Sequence, residues 1–134
     1  MKVTDLRVQV FKYRSRIGRD SEGHAHPGPE HDATQTLVTV ATDEGAEGYA
    51  LGGNPKMLTE VAKPAVVGED PFDRERIWQR LRQWQRLHVG SFSDRDICAV
   101  DLALWDLAGR YLKMPVHKLL GGFREKVPAY ASTM

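Results

Sequence analysis

Cysteine is almost absent from this sequence. Among 134 residues only Cys98 carries a thiol. A single thiol excludes an intrachain disulfide scaffold and, by itself, a thiolate metal centre. A charge excess is lacking too. Lys and Arg number 19 against 18 Asp and Glu, a formal net charge of +1. That balance excludes a strongly basic nucleic-acid binder and an acidic tail protein on bulk charge. No apolar run approaches the ~20 residues that span a bilayer. Met1-Lys2-Val3-Thr4-Asp5 opens without a signal-peptide pattern, and a cytoplasmic setting is expected. The motifs G-x-G-x-x-G, the P-loop and G-x-S-x-G are all missing. The chain is also too short for a complete (β/α)8 barrel, which takes ~250 residues.

What remains is an ordinary folding composition, 41% hydrophobic and 28% charged, which fits one globular domain. Residues 2–13 alternate, with Val3, Leu6, Val8 and Val10 interleaved by Arg7, Gln9 and Lys12. This period of two predicts a half-buried strand. Residues 34–42 are β-branched and alternating, with Leu37 and Thr39 opposite Val38 and Val40. Asp43-Glu44-Gly45 is a turn signal, and Ala46 to Leu51 reads as a third strand in an antiparallel meander. Between the first two strands, residues 14–33 hold three Gly, two Pro and three His and few large apolar residues beyond Ile17. They read as a long polar loop, of a length usually functional or mobile.

Helical spacing follows. Met57, Leu58, Val61 and Ala62 predict a short helix stopped before Pro64. Ile77, Leu81, Trp84 and His88 define the apolar face of an amphipathic helix closed by Gly90. Ser93 is a fitting N-cap, with Asp94 and Asp96 in the first turn. The run from Ile97 to Gly109 is apolar nearly all round, so it predicts the buried central helix, with Cys98 as a small buried hydrophobe. Val116 to Leu120 could add one turn. The fold class is therefore α+β: a three-stranded antiparallel β-meander followed by a helical bundle.

Several side chains could carry chemistry, and each has a plainer reading. His24, His26 and His31, with Glu22, Glu30 and Asp32, offer imidazoles and carboxylates of the kind that hold zinc. Gly and Pro lie between them and no Cys pair or H-E-x-x-H supports them, so a solvated loop is the preferred reading. Arg74, Arg76, Arg80, Arg82 and Arg86 form a basic stripe without an aromatic platform, which suits a solvated face or a protein interface better than nucleic acid. Asp101 and Asp106 sit in the most apolar helix, where an unpaired carboxylate is costly. Asp106 can reach Arg110 one turn on. Five residues apart, the two acids make a poor catalytic pair. Trp105 reads as a packing residue, and His88 and His117 as structural. By these residues alone, the chain is a domain with no self-contained catalytic site.

The stretch from Val100 through Ala103-Leu104-Trp105-Asp106 to Gly109, continued by Met114-Pro115-Val116-His117-Lys118-Leu119-Leu120-Gly121-Gly122, resembles one family. It is similar to the end of the N-terminal capping domain of mandelate racemase and muconate lactonizing enzymes, in the enolase superfamily. Gly68-Glu69-Asp70-Pro71, the Trp78 helix and the Gly45–Gly48 turn agree. The resemblance implies a capping domain over residues 1–122. It makes 123–134 a linker and the first strand of a barrel whose remainder lies beyond Met134. It implies a barrel that binds Mg2+ and abstracts a proton next to a carboxylate, the metal stabilising the enediolate. No ligand to that Mg2+ and no acid/base residue would come from this chain. The capping domain would supply two lid segments, residues 14–33 and 49–55, with Ile17, Arg19, His24, Tyr49, Leu51 and Gly52 as substrate contacts. Ala129-Tyr130-Ala131-Ser132-Thr133 resembles the first barrel strand, placing Ser132 and Thr133 near the active-site face. The implied partners are that barrel, a small carboxylate or acid-sugar substrate and further copies of the same chain, with no nucleic acid and no membrane. An acid-sugar dehydratase is the favoured subtype, with racemase, epimerase and cycloisomerase as alternatives. The contrasting reading is a stand-alone, non-catalytic binding or interaction module.

Overall fold

A computed structural model describes residues 1–130. Three strands, β1 (Val3–Arg19), β2 (Ala25–Thr42) and β3 (Glu47–Leu51), form one antiparallel sheet in the order β1-β2-β3. Helical segments follow: α1 (Pro55–Met57), a π-helical stretch (Leu58–Ala62), α2 (Lys63–Val66), α3 (Arg74–Leu87), α4 (Asp94–Tyr111) and α5 (Val116–Leu119). This is the expected α+β meander. No helix among the described residues is long and apolar enough to cross a membrane.

The core lies between one face of the sheet and the helices. Val3, Leu6, Val38 and Val40 are buried on the sheet side; Ile97, Val100, Leu104 and Leu107 of α4 meet them from the other, with Ile77 and Leu81 of α3 and Phe92 behind. Each such side chain contributes on the order of 1.5–3 kcal/mol by leaving water. The approach of α4 to β3 is very close. A Cβ at Gly48 would stand 2.1 Å from the Ala103 carbonyl oxygen and 2.4 Å from the Leu107 nitrogen. Only a residue without a side chain lets this strand lie against the helix.

Three expectations need correction. Residues 14–33 are not a loop. β1 and β2 continue through them, pairing Tyr13 with Ala33, Ile17 with Pro27 and Arg19 with Ala25. The register shifts between Ser15 and Ile17, and Gly28, Pro29 and Glu30 take up the irregularity on β2. The result is a two-stranded arm with exposed faces, braced by Arg14 on Glu30 and Asp32 and by Arg16 on Glu30. Second, the helix after β3 does not stop before Pro64 but runs on to Val66. The Lys63 N–H donates to the Leu58 carbonyl, five residues back. This wide π-turn precedes Pro64, which has no N–H to give and occupies the first turn of α2. Third, Cys98 is exposed, not buried. It shares with Leu102, 52% exposed, a face of α4 that nothing among the described residues covers. Residues 123–130 carry no helix or strand. The expected barrel-strand contacts Ser132 and Thr133 lie outside the described residues.

Candidate functional site

The six expected lid residues fall into two separate groups. Ile17, Arg19 and His24 lie at the far end of the arm. Ile17 and Arg19 line a shallow cleft with Tyr13, Ser15, His31 and Ala33. Arg19 donates to the Gly23 carbonyl at 2.7 Å, closing the turn on itself. Tyr49, Leu51 and Gly52 lie at the base. Leu51 pairs with Leu37 of β2, which pairs with Gln9 of β1. Gln9 and Ile17 are about 27 Å apart along the strand at ~3.4 Å per residue. Within this chain the two groups do not meet.

The turn at the arm's end is built on Asp20. Its Oδ1 accepts the backbone N–H groups of Glu22 and His24 at 3.0 and 2.9 Å. Its Oδ2 lies 3.1 Å from His24 Nδ1 and 2.9 Å from His26 Nε2. Hydrogen bonding from His26, supported by the His24 and Glu22 contacts, holds the Asp20 carboxyl below its ordinary pKa. Gly23 turns the chain with φ +88°, a conformation that favours glycine. His31 is apart from this group and contacts the Pro29 carbonyl at 3.2 Å.

At the base, the chain after β3 bends at Gly52 and Gly53, both at positive φ. Asn54 then caps α1 by accepting from Lys56 and Met57 N–H. The anchor of this segment is Asp96, 1% exposed. It accepts the Asn54 N–H at 2.5 Å and both the N–H and hydroxyl of Ser93 at 2.7 Å. One carboxylate thereby closes the capping box of α4 and pins the 52–54 loop to it. Sequence reasoning placed Asp96 in the first turn but missed this second duty. The Ser93-x-x-Asp96 spacing signals the box; nothing local signals Asn54, 42 residues away. Gly52, Gly53 and Asn54 form one wall of an open cleft of about 820 Å³, with Val10, Thr36 and Arg95 on the others.

Tyr49 is bound into the scaffold. Its N–H donates to Asp106 Oδ2 at 2.9 Å and its hydroxyl to Glu47 Oε2 at 2.6 Å, and the Arg110 guanidinium lies 4.8 Å from its ring centre. The hydrogen bond to Glu47 raises the Tyr49 pKa and lowers that of Glu47, which Arg7 lowers further. Asp106 also holds Arg110 at 2.8 Å, the expected pairing one turn apart. Asp101 faces a different way and is half-buried; burial raises its pKa and the nearby Arg74 opposes that. The basic stripe is largely occupied. Arg76 and Arg80 hold Glu69, Arg82 holds Asp94, and the Arg74 guanidinium stacks 3.8 Å from the Trp105 ring centre.

The profile of a family described as mandelate racemase / muconate lactonizing enzyme, N-terminal domain, matches residues 24–121. A D-galactonate dehydratase family member of Marinomonas sp. is 39% identical over 109 residues, covering 72% of this chain and 26% of that protein. A 3,6-anhydro-alpha-L-galactonate cycloisomerase of Streptomyces coelicolor is 36% identical over 136 residues, covering 93% of this chain and 37% of the relative. Among solved structures, D-glucarate dehydratase from Agrobacterium tumefaciens complexed with magnesium superposes with a TM-score of 0.90 at 47% identity, covering 97% of this chain and 35% of that one. The chain thus spans between about a quarter and somewhat over a third of the length of its relatives.

Proposed function

The chain belongs to the mandelate racemase / muconate lactonizing enzyme family, and from that premise we propose that it is the lid-bearing specificity domain of an acid-sugar dehydratase. The observation that carries this reading is the arm. From Gln9 to Ile17 the two strands run on for about 27 Å, with Ile17, Arg19 and His24 at the far end and, among the described residues, no helix over either face. Such a projection contributes little to the core and fits a segment that covers something else. Relatives named for D-galactonate, D-xylonate, arabinonate and D-glucarate support the substrate class. Arg19 and His24 offer donors to a carboxylated, hydroxylated ligand. Gly52 and the Asn54 loop form the second, fixed segment. Closing the arm would expel water and hold the substrate in one orientation.

The residues described do not fit the Mg2+ that this reading implies. Mg2+ takes octahedral oxygen ligands, whereas the group that gathers three ligand atoms here is two imidazoles and one carboxylate. In this reading Mg2+ and the acid/base residues belong to the remaining two-thirds of the enzyme, a C-terminal barrel beginning within residues 123–134. A cytoplasmic setting suits the single thiol, Cys98, and assembly as a homo-oligomer is part of the same proposal.

The test is kinetic and uses the intact enzyme. Arg19→Ala and His24→Ala are expected to lower kcat/KM for the preferred acid sugar ~10-fold or more, because transition-state contacts are lost. Losses that differ across a panel of acid sugars support a specificity role. Unchanged kcat/KM throughout the panel refutes it.

A further inference from the structure

We propose that the end of the arm is a binding site for a transition-metal dication of the zinc type, held by Asp20 Oδ2, His24 Nδ1 and His26 Nε2. These atoms all lie within 4.8 Å of one another. A tetrahedral Zn2+ bonded at ~2.0–2.1 Å to nitrogen and oxygen needs its ligand atoms about 3.3 Å apart. The observed separations from the carboxylate oxygen are 3.1 Å to His24 and 2.9 Å to His26. Both separations are within a few tenths of an ångström of that spacing, and the two imidazole nitrogens lie within 4.8 Å of each other.

The backbone holds this geometry before any metal arrives. Asp20 spends Oδ1 on the Glu22 and His24 N–H groups, which leaves Oδ2 aimed between the two rings. The Asp20 N–H in turn donates to the His24 carbonyl at 3.1 Å. Such fixing of a ligand by a second hydrogen bond is what tunes metal sites. His24 immediately precedes β2 and His26 lies at its start, two residues apart. Glu22 Oε2 lies 3.7 Å from His24 Nδ1 but outside the mutually close group, which leaves water as the fourth ligand. Two imidazoles and one carboxylate select Zn2+ and its first-row neighbours over Mg2+ and Ca2+.

The site does not depend on the lid assignment, and its test reads binding rather than turnover. Zinc chloride is titrated into the purified chain by calorimetry in a non-chelating buffer, with sedimentation run in parallel. The expected result is saturation at one ion per chain with the chain's state of association unchanged. Asp20→Asn should weaken binding ~10–100-fold, and His24→Gln with His26→Gln should abolish it. His31→Gln should leave it unchanged. All four positions are on the arm, outside the core, and circular dichroism of each variant checks that the fold persists. Binding that survives the double His variant, or one ion shared by two chains, overturns the proposal. So does failure to saturate. A kinetic effect of His24→Ala without zinc binding would leave the lid reading standing and this one refuted.

Discussion

A methyl group at Gly48 would stand 2.1 Å from the Ala103 carbonyl oxygen and 2.6 Å from Leu107 Cβ. Strand and helix cannot both keep their places, so Gly48→Ala should cost about 3 kcal/mol, the upper end for overpacking. Urea titration of the chain should show a lower midpoint with an unchanged slope. Asp96→Ala removes the acceptor shared by Asn54 and Ser93 and should cost about 1–2 kcal/mol in the same measurement. The titrating groups divide by sign. Asp5 beside Lys63, Asp20 beside His26 and Glu47 beside Tyr49 all have lowered pKa values. A carboxyl lowered on folding stabilises at neutral pH, and that stability is lost as pH falls through its folded value. Asp101 is the reverse: burial raises it, so its charged form costs stability at neutral pH and protonation relieves the cost. Thermal melts should show the chain weakening in acid, while Asp101→Asn raises Tm at neutral pH and loses that advantage as the pH drops.

Elements with one buried face were legible in the sequence, and elements with none were not. Val38 and Val40 alternate with the partly exposed Leu37 because one side of β2 meets α4 there; Thr39, on the other side, is buried as well. Ile77 and Leu81 repeat at helical spacing for the same reason. The arm has no such constraint: from Tyr13 to Ala33 Ser15 alone is buried, so hydrophobic periodicity has nothing to record and Gly and Pro dominate the signal. The converse error befell α4. Its apolar character on all sides read as full burial, yet Cys98 and Leu102 lie on an uncovered face. Composition reports what a face can bury, not whether a partner is present. Because the arm adds little to the core, replacing residues 14–32 by a two-residue Asn-Gly turn should leave the thermal transition of the chain within a few degrees of the parent. Circular dichroism melts decide this, and a collapse of the transition would show that the arm is structural.

At the scale of the whole molecule, the candidate site was half legible. The resemblance led to both proposed lid segments, but Asp20 and Asp96, the two carboxylates that hold their turns, act through backbone groups that no motif displays. The molecule also exposes much apolar surface, with Leu102, Leu120, Phe123 and Val127 more than half accessible. The chain alone should therefore bind an apolar dye such as anilinonaphthalene sulfonate, and the full-length enzyme should bind far less; equal fluorescence from both would contradict a missing partner surface. Asp96 has a last consequence, one of tempo. It bolts the 52–54 loop to the first turn of α4, so that segment shifts only when this hydrogen bond is given up. The arm hangs from the sheet by its base alone and can swing at small local cost. In an enzyme that closes both over its substrate, the loop would decide which sugar fits and the arm would decide how soon the product leaves. Turnover should then slow as viscogens thicken the solvent, and an enzyme with the shortened arm should no longer feel that drag.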